Sequence, residues 1–235
     1  MSKQYAKQTR KHREATAKAT AQRDRRIKIG LTALIAGVVG WLIITTIPRT
    51  DIDLTGQPVI GRKDAPHTLI VFGDFKCPAC RAFEADTATA VDQAVENGTL
   101  KTAFLHYPFL ARAFQLPEDD STLMARAAEC VHSTYGARRH HDLVRSFYLQ
   151  QGDEKSVWGG KDQLPNLLRG AGFNEQQRAA LTTCAASNDS RAAVQRDVAA
   201  AEAAKITGTP LVLLDGAPVR TADALISALR SYDTQ

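Results

Sequence analysis

An α/β domain with a helical subdomain spliced into it is the fold class that three features of the sequence predict. The apolar run Thr68-Leu69-Ile70-Val71-Phe72 has the length and character of a buried strand, and a Cys77-Pro78-Ala79-Cys80 motif follows it at the head of a helical pattern. A second strand-like run, Leu211-Val212-Leu213-Leu214, stands directly after Gly208-Thr209-Pro210. Between the two, from about Ser121 to Ala204, the periodicity is helical and broken by Gly136, Gly152, Gly159-Gly160, Gly170 and Gly172.

The elements read in chain order as follows. Residues 1–28 hold ten Lys or Arg against Glu14 and Asp24, a local charge of +8. Ile29 to Pro48 then runs about twenty residues without a charge, enough for a transmembrane helix. The basic flank places the N-terminus in the cytoplasm by the positive-inside rule. A cleaved signal peptide is the competing reading, and the long basic region and the lack of an A-x-A-like exit before Pro48-Arg49 stand against it. Removing +8 from the formal net charge of +5 leaves −3 for residues 29–235, so nucleic-acid binding by the main domain is unsupported. Residues 49–66, interrupted by Gly56, Pro58, Gly61 and Pro66, read as a linker, and residues 67–235 as one domain with its helical insertion at about 119–205.

Within that domain Pro78 suits the first turn of a helix, where its missing N–H has no partner to lose. Phe83, Thr87, Ala90, Val91 and Val95 continue the helical stripe to an Asn97-Gly98 stop, and Leu100 to His106 reads as a second strand. Downstream, the Asp215-Gly216 turn joins Leu211–Leu214 to Ala217–Arg220 as a hairpin, and Ala222 to Tyr232 forms a closing amphipathic helix. His140 and His141 are expected at the surface of a helix start, and His106 at a strand end.

A thiol attacks only as the thiolate. Cys77 at a helix N-terminus has unpaired N–H groups and the positive end of the dipole aimed at its sulfur, and Lys76 adds a neighbouring positive charge. If Cys77 and Cys80 are the exchange pair, Cys130 and Cys184 remain and are expected to bond to each other, closing a loop of about 55 residues worth roughly 4 kcal/mol. Free buried thiols and a second redox relay are the alternatives for that pair. A zinc or metal-relay reading would need Cys77 and Cys80 to recruit His132, His140 or His141, and only Cys130-x-His132 offers a second chelating spacing, so no metal is expected.

Taken together, Gly61-x-x-x-Ala65-Pro66, Phe72-Gly73-Asp74-Phe75-Lys76-Cys77-Pro78-Ala79-Cys80 and Val194-x-Arg196-Asp197-Val198 leading into Gly208-Thr209-Pro210 resemble the membrane-anchored bacterial members of the DsbA-like thiol-disulfide oxidoreductases. The resemblance covers residues 60 to 233 and implies a thioredoxin-like core capped by a helical insertion. It implies Cys77 as the attacking cysteine, Cys80 as the buried resolving one, Pro210 as a cis-proline facing the dithiol, and Thr209 as the substrate-contacting neighbour. The implied activity is disulfide formation in unfolded exported proteins, with no cofactor beyond the redox-active Cys77–Cys80 disulfide and a membrane-bound, quinone-linked partner to reoxidise it.

Two departures from the family pattern bear on the chemistry. Ala79 stands where the best-known members carry a thiolate-stabilising His, which predicts a less oxidising pair and keeps a reductase or isomerase reading open. Isomerases with this core add a dimerisation domain for which the linker has no room, so a monomer is expected. Val71 stands where thioredoxins proper carry a buried acid, and Asp74 is the only acid nearby upstream that could move a proton. A non-catalytic peptide-binding module is the reading of another class.

Overall fold

The computed structural model describes residues 49–232. The basic arm and the apolar segment 29–48 lie outside them, and among the described residues no helix is long and apolar enough to cross a membrane.

Strand β1 is Val59–Ile60, β2 His67–Gly73, β3 Leu100–His106, β4 Leu211–Leu214 and β5 Ala217–Val219, forming one sheet in the order β1-β3-β2-β4-β5. Strands β2 and β3 are parallel, from His67 opposite Leu100 to Gly73 opposite His106, and every other pairing is antiparallel. Parallel neighbours need a crossover. Helix α1, Pro78–Glu96, supplies it.

Alternation along β2 explains the layering, because successive side chains of a strand point to opposite faces. Leu69 packs with Val91, Val95, Leu225 and Leu229 from α1 and the closing helix, whereas Ile70 and Phe72 pack with Leu105, Ala201 and Leu213 on the other face. Leu69 and Phe72 are fully buried, each contributing about 1.5–3 kcal/mol relative to exposure.

Helix α2, Leu110–Ala113, leads into the insertion, which holds α3 Asp120–Leu149, α4 Leu164–Gly170, α5 Glu175–Ala185 and α6 Asn188–Ala203; α7, Ala222–Tyr232, follows the hairpin. Helix α3 is broken where the sequence put a break, at Gly136, whose φ of 85° and ψ of 174° are non-helical. Its faces carry Met124, Ala127, Ala128 and Val131, then Leu143, Val144 and Phe147, into a core shared with Phe75, Cys77 and Cys80. A disulfide joins Cys130 of α3 to Cys184 of α5 across 54 residues. Arg145 of α3 pairs with Glu84 at 2.8 Å and Asp92 at 2.6 Å, tying the insertion to α1.

The linker expectation for residues 49–66 needs correction. Val59 and Ile60 pair with Ala103 and Thr102, Ile60 is buried, and Gly61 turns the chain with φ +101°, its α-carbon lying so close to β3 that an added β-carbon would stand 2.5 Å from the Leu100 carbonyl oxygen. A two-residue strand carries no periodicity of its own. Its existence is decided by the edge of β3 that it covers.

Candidate active site

Three chain segments build the site: the β2–α1 junction, the turn before β4, and the end of α3. Asp74 O accepts the Cys77 N–H at 3.0 Å, and Cys77 then becomes the N-cap of α1 with Pro78 in the first turn and no side-chain cap. The capping position is thus left to a sulfur. Cys77 is 6% and Cys80 3% exposed, Pro78 and Ala79 are exposed, and both thiols are free.

Pro210 follows a cis Thr209–Pro210 bond, and the Cys77 thiol donates to the Thr209 carbonyl oxygen at 3.3 Å. The buried Thr209 hydroxyl has no hydrogen-bond partner in this state. Ionisation turns Cys77 from donor to acceptor, and that hydroxyl is then placed to serve it. The Cys77 pKa is accordingly lowered from 9.0 to about 6, first by a hydrogen bond from the Cys80 thiol, then by Thr209 and by the backbone N–H groups of Cys80 and Ala79, with burial opposing. Cys80 moves the other way, well above 9.0, because burial and the Cys77 charge both disfavour a second thiolate. Two adjacent thiols therefore divide into a nucleophile and a reserved partner.

Around them the backbone is held by side chains. The Asp74 carboxylate accepts from the backbone N–H groups of Lys76, Phe109 and Leu110, each at 2.9 Å, and from the Ser121 hydroxyl at 2.9 and 3.0 Å. Burial raises its pKa while these hydrogen bonds pull it back. With its oxygens engaged in this way, Asp74 fixes the loop that carries Cys77.

Lys76 requires a firmer correction. Its side chain is wholly buried and directed at Asp120, 3.0 Å away, and at the Ser156 carbonyl oxygen, 2.6 Å away. Asp120 also accepts the N–H groups of Trp158 and Gly159. The charge expected to favour the Cys77 thiolate is instead neutralised inside the insertion, because a buried ammonium needs a carboxylate partner more than a thiolate needs a distant cation.

Gln151 was missed by the sequence reading: its amide donates to Phe75 O at 2.7 Å and Cys77 O at 3.0 Å, bracing the loop from the end of α3. Tyr148, one turn earlier, is buried with its hydroxyl 3.4 Å from Asp74 O and was missed as well. No local motif marks either residue.

The histidines also depart from expectation. His140 is 1% exposed, not on the surface, and its Nε2 lies 3.0 Å from that of His106, with Glu129 3.6 Å from His106. His141 is mostly buried against Asp92. Among the described residues, His106, Glu129 and His140 are the group whose ligand atoms converge, within 4.8 Å of one another, and it contains neither Cys77 nor Cys80.

A family model described as Thioredoxin matches residues 53–230. The chain belongs to the thioredoxin family. A probable disulfide bond formation protein D of Bacillus cereus is 27% identical over 168 residues, covering 68% of this chain and 70% of the relative. Disulfide bond formation protein D of Bacillus subtilis is 36% identical over 64 residues, covering 27% of this chain and 29% of the relative. The fold matches oxidised BdbD from Bacillus subtilis with a TM-score of 0.68 at 21% identity, over 80% of this chain and 98% of the other. MdbA, a thiol-disulfide oxidoreductase from Corynebacterium diphtheriae, matches with a TM-score of 0.61 at 21% identity, over 76% and 92%. Within the family this chain is a DsbA-like thiol-disulfide oxidoreductase, as the motifs implied.

Proposed function

We propose that this thioredoxin-family chain forms disulfides in exported proteins by dithiol–disulfide exchange, with Cys77 as the exchanging sulfur and Cys80 as its resolving partner. The observation that carries the reading is the placement of two neighbouring thiols, Cys77 at the N-cap of α1 with its sulfur 3.3 Å from the Thr209 carbonyl oxygen before a cis proline and Cys80 buried behind it, which lowers the first pKa and raises the second. A substrate thiolate attacks the Cys77 sulfur of the Cys77–Cys80 disulfide; that bond breaks, a mixed disulfide forms at Cys77, and Cys80 leaves as a thiolate that takes up a proton. A second substrate thiolate then attacks the substrate sulfur of the mixed disulfide. The substrate disulfide forms, and the Cys77 thiolate departs as the better leaving group because of its low pKa.

Thr209 and Pro210 border the sulfur and are the substrate-contacting pair in this reading, with an extended peptide laid beside them. The cycle uses no cofactor beyond the protein's own disulfide. Reoxidation falls to a membrane-bound, quinone-linked partner, and the active protein is a monomer. The apolar segment 29–48 anchors the domain outside the cytoplasm, which the basic residues 1–28 support. Protease treatment of intact cells tests that topology: the domain is expected to be digested while the arm is protected.

The test of direction is the reduction potential of the domain together with its rate of oxidising a reduced unfolded protein. A potential nearer about −120 mV than about −270 mV and rapid oxidation are expected. Ala79 between the cysteines favours the second reading, a reductase, and a potential at the low end with slow oxidation would establish it. A redox-silent Cys77 would leave the peptide-binding module.

A further inference from the structure

A second cluster of reactive side chains lies apart from the dithiol. His106 ends β3, whereas Glu129 and His140 both belong to α3. Eleven residues of unbroken helix would set those two about 16 Å apart along its axis. The non-helical Gly136 between them redirects the second half of α3, and both side chains arrive at the end of β3. Asp197 of α6 holds the strand end in place by accepting the His106 backbone N–H at 2.8 Å.

His106, Glu129 and His140 are 1%, 5% and 1% exposed. The two histidine Nε2 atoms face each other at 3.0 Å, and Glu129 Oε1 lies 3.6 Å from that of His106. At such a separation the two nitrogens cannot both carry a proton, so at least one presents a lone pair. Glu129 Oε1 is a buried atom with no hydrogen-bond donor among the described residues. Buried acceptors without donors are costly, and here they converge on one point, which is what a cation satisfies.

The spacing suits a small ion. Zinc bonds imidazole nitrogen and carboxylate oxygen at about 2.0–2.2 Å, which puts tetrahedral ligand atoms roughly 3.3–3.6 Å apart. The observed 3.0 and 3.6 Å bracket that range. Calcium prefers about six to eight oxygens at longer distances, and two imidazoles do not supply them. A groove of about 570 Å³ gives an ion a way in, with Glu129, His132, Asp189 and Ser190 on its wall.

From this geometry we infer that His106 Nε2, His140 Nε2 and a Glu129 carboxylate oxygen form a binding site for one divalent ion of the zinc class, with water from the groove in the fourth position. No electron is transferred. The ion accepts the three lone pairs, and the proton between the histidines moves to an outer ring nitrogen. Bound there, it joins the two halves of α3 to β3 across the break at Gly136. The site shares no residue with the dithiol, so it stands or falls independently of the exchange reading.

The experiment is zinc loading of the full chain without an affinity tag, fully oxidised so that its four cysteines are paired and offer no thiolate. After equilibration with zinc chloride and gel filtration, elemental analysis is expected to find one zinc per chain. His106→Gln and His140→Gln should each weaken zinc binding by at least about 100-fold, the upper end of what residues that merely orient a metal ligand are worth. His67→Gln, which alters a histidine paired with Asp215 at the opposite end of the sheet, should leave it unchanged. X-ray absorption of the zinc-loaded parent should show two imidazole nitrogens, oxygen and no sulfur, which decides the matter even if a substituted chain fails to fold. No retained zinc, equal binding by the folded His106 and His140 variants, or a ligand set of oxygen alone would overturn the assignment.

Discussion

Lowering pH should weaken the reduced protein more than the oxidised one, by an amount that the Cys77 environment sets. Cys77 ionises near 6 in the folded reduced protein and near 9.0 when free of it. A group whose folded pKa is depressed adds stability above that pKa and loses it as pH falls through it. The gain is nearly absent at pH 5 and amounts to about 1 kcal/mol at pH 7, because only part of the three-unit span has been crossed there. Oxidised protein has no Cys77 thiol to titrate. Glu129 and Asp197, raised by burial to about 8 and about 7, and His141, lowered to about 4, titrate in both redox states and cancel in the difference. The assay is urea unfolding of reduced and oxidised domain between pH 5 and 7, taking the difference at each pH. The reduced form should gain about 1 kcal/mol over the oxidised, shifting the potential about 20 mV in the oxidising direction. A difference that stays flat over that range would refute the reasoning, since it would mean that the hydrogen bonds from Cys80 and Thr209 do not favour the thiolate.

Further outcomes follow from the same contacts. Asp120→Ala should cost about 3–5 kcal/mol in urea unfolding by stranding the buried Lys76 ammonium, whereas Lys76→Met combined with Asp120→Leu should recover most of that loss; a single substitution costing under about 1 kcal/mol contradicts the buried pair. Replacing Cys130 and Cys184 with Ser should lower stability by about 4 kcal/mol without changing the Cys77 alkylation rate, and a changed rate would point to a redox relay. Gly73→Ala should cost about 1–3 kcal/mol in urea unfolding, because the new methyl would meet the Phe104 ring at 2.6 Å and the Tyr148 hydroxyl at 2.8 Å, and an unaltered midpoint would remove the packing argument.

The sheet and its crossover were legible because they depend on local signals: apolar runs for β2 and β4, Pro78 in the first turn of α1, Asn97-Gly98 at its end, and Asp215-Gly216 in the hairpin. The dithiol was legible for a related reason, since both sulfurs and the helix that polarises one of them lie within four consecutive residues. Long-range partners were not. Lys76 was assigned to its sequence neighbour, and only the folded chain shows it turning to Asp120, 44 residues away. His140 looked like a surface residue by composition, yet α3 buries it against His106 on β3. Tyr148 and Gln151 reach the loop through long-range hydrogen bonds that no spacing announces, and β1 exists only because β3 offers an unpaired edge.

The central claim is that Cys77 swaps bonds and Cys80 resolves them. Its most direct test is to load a Cys80→Ser variant at Cys77 with a small-molecule disulfide, mix it with an unfolded protein that carries one reduced cysteine, and separate the products without reductant. A mixed disulfide between Cys77 and the substrate, formed as the small thiolate departs, is expected to persist because neither Cys80 nor a second substrate thiol is there to attack it, and Cys77→Ser should yield none. Failure of the Cys80→Ser variant to hold substrate, or capture through Cys130 or Cys184 instead, would contradict the account.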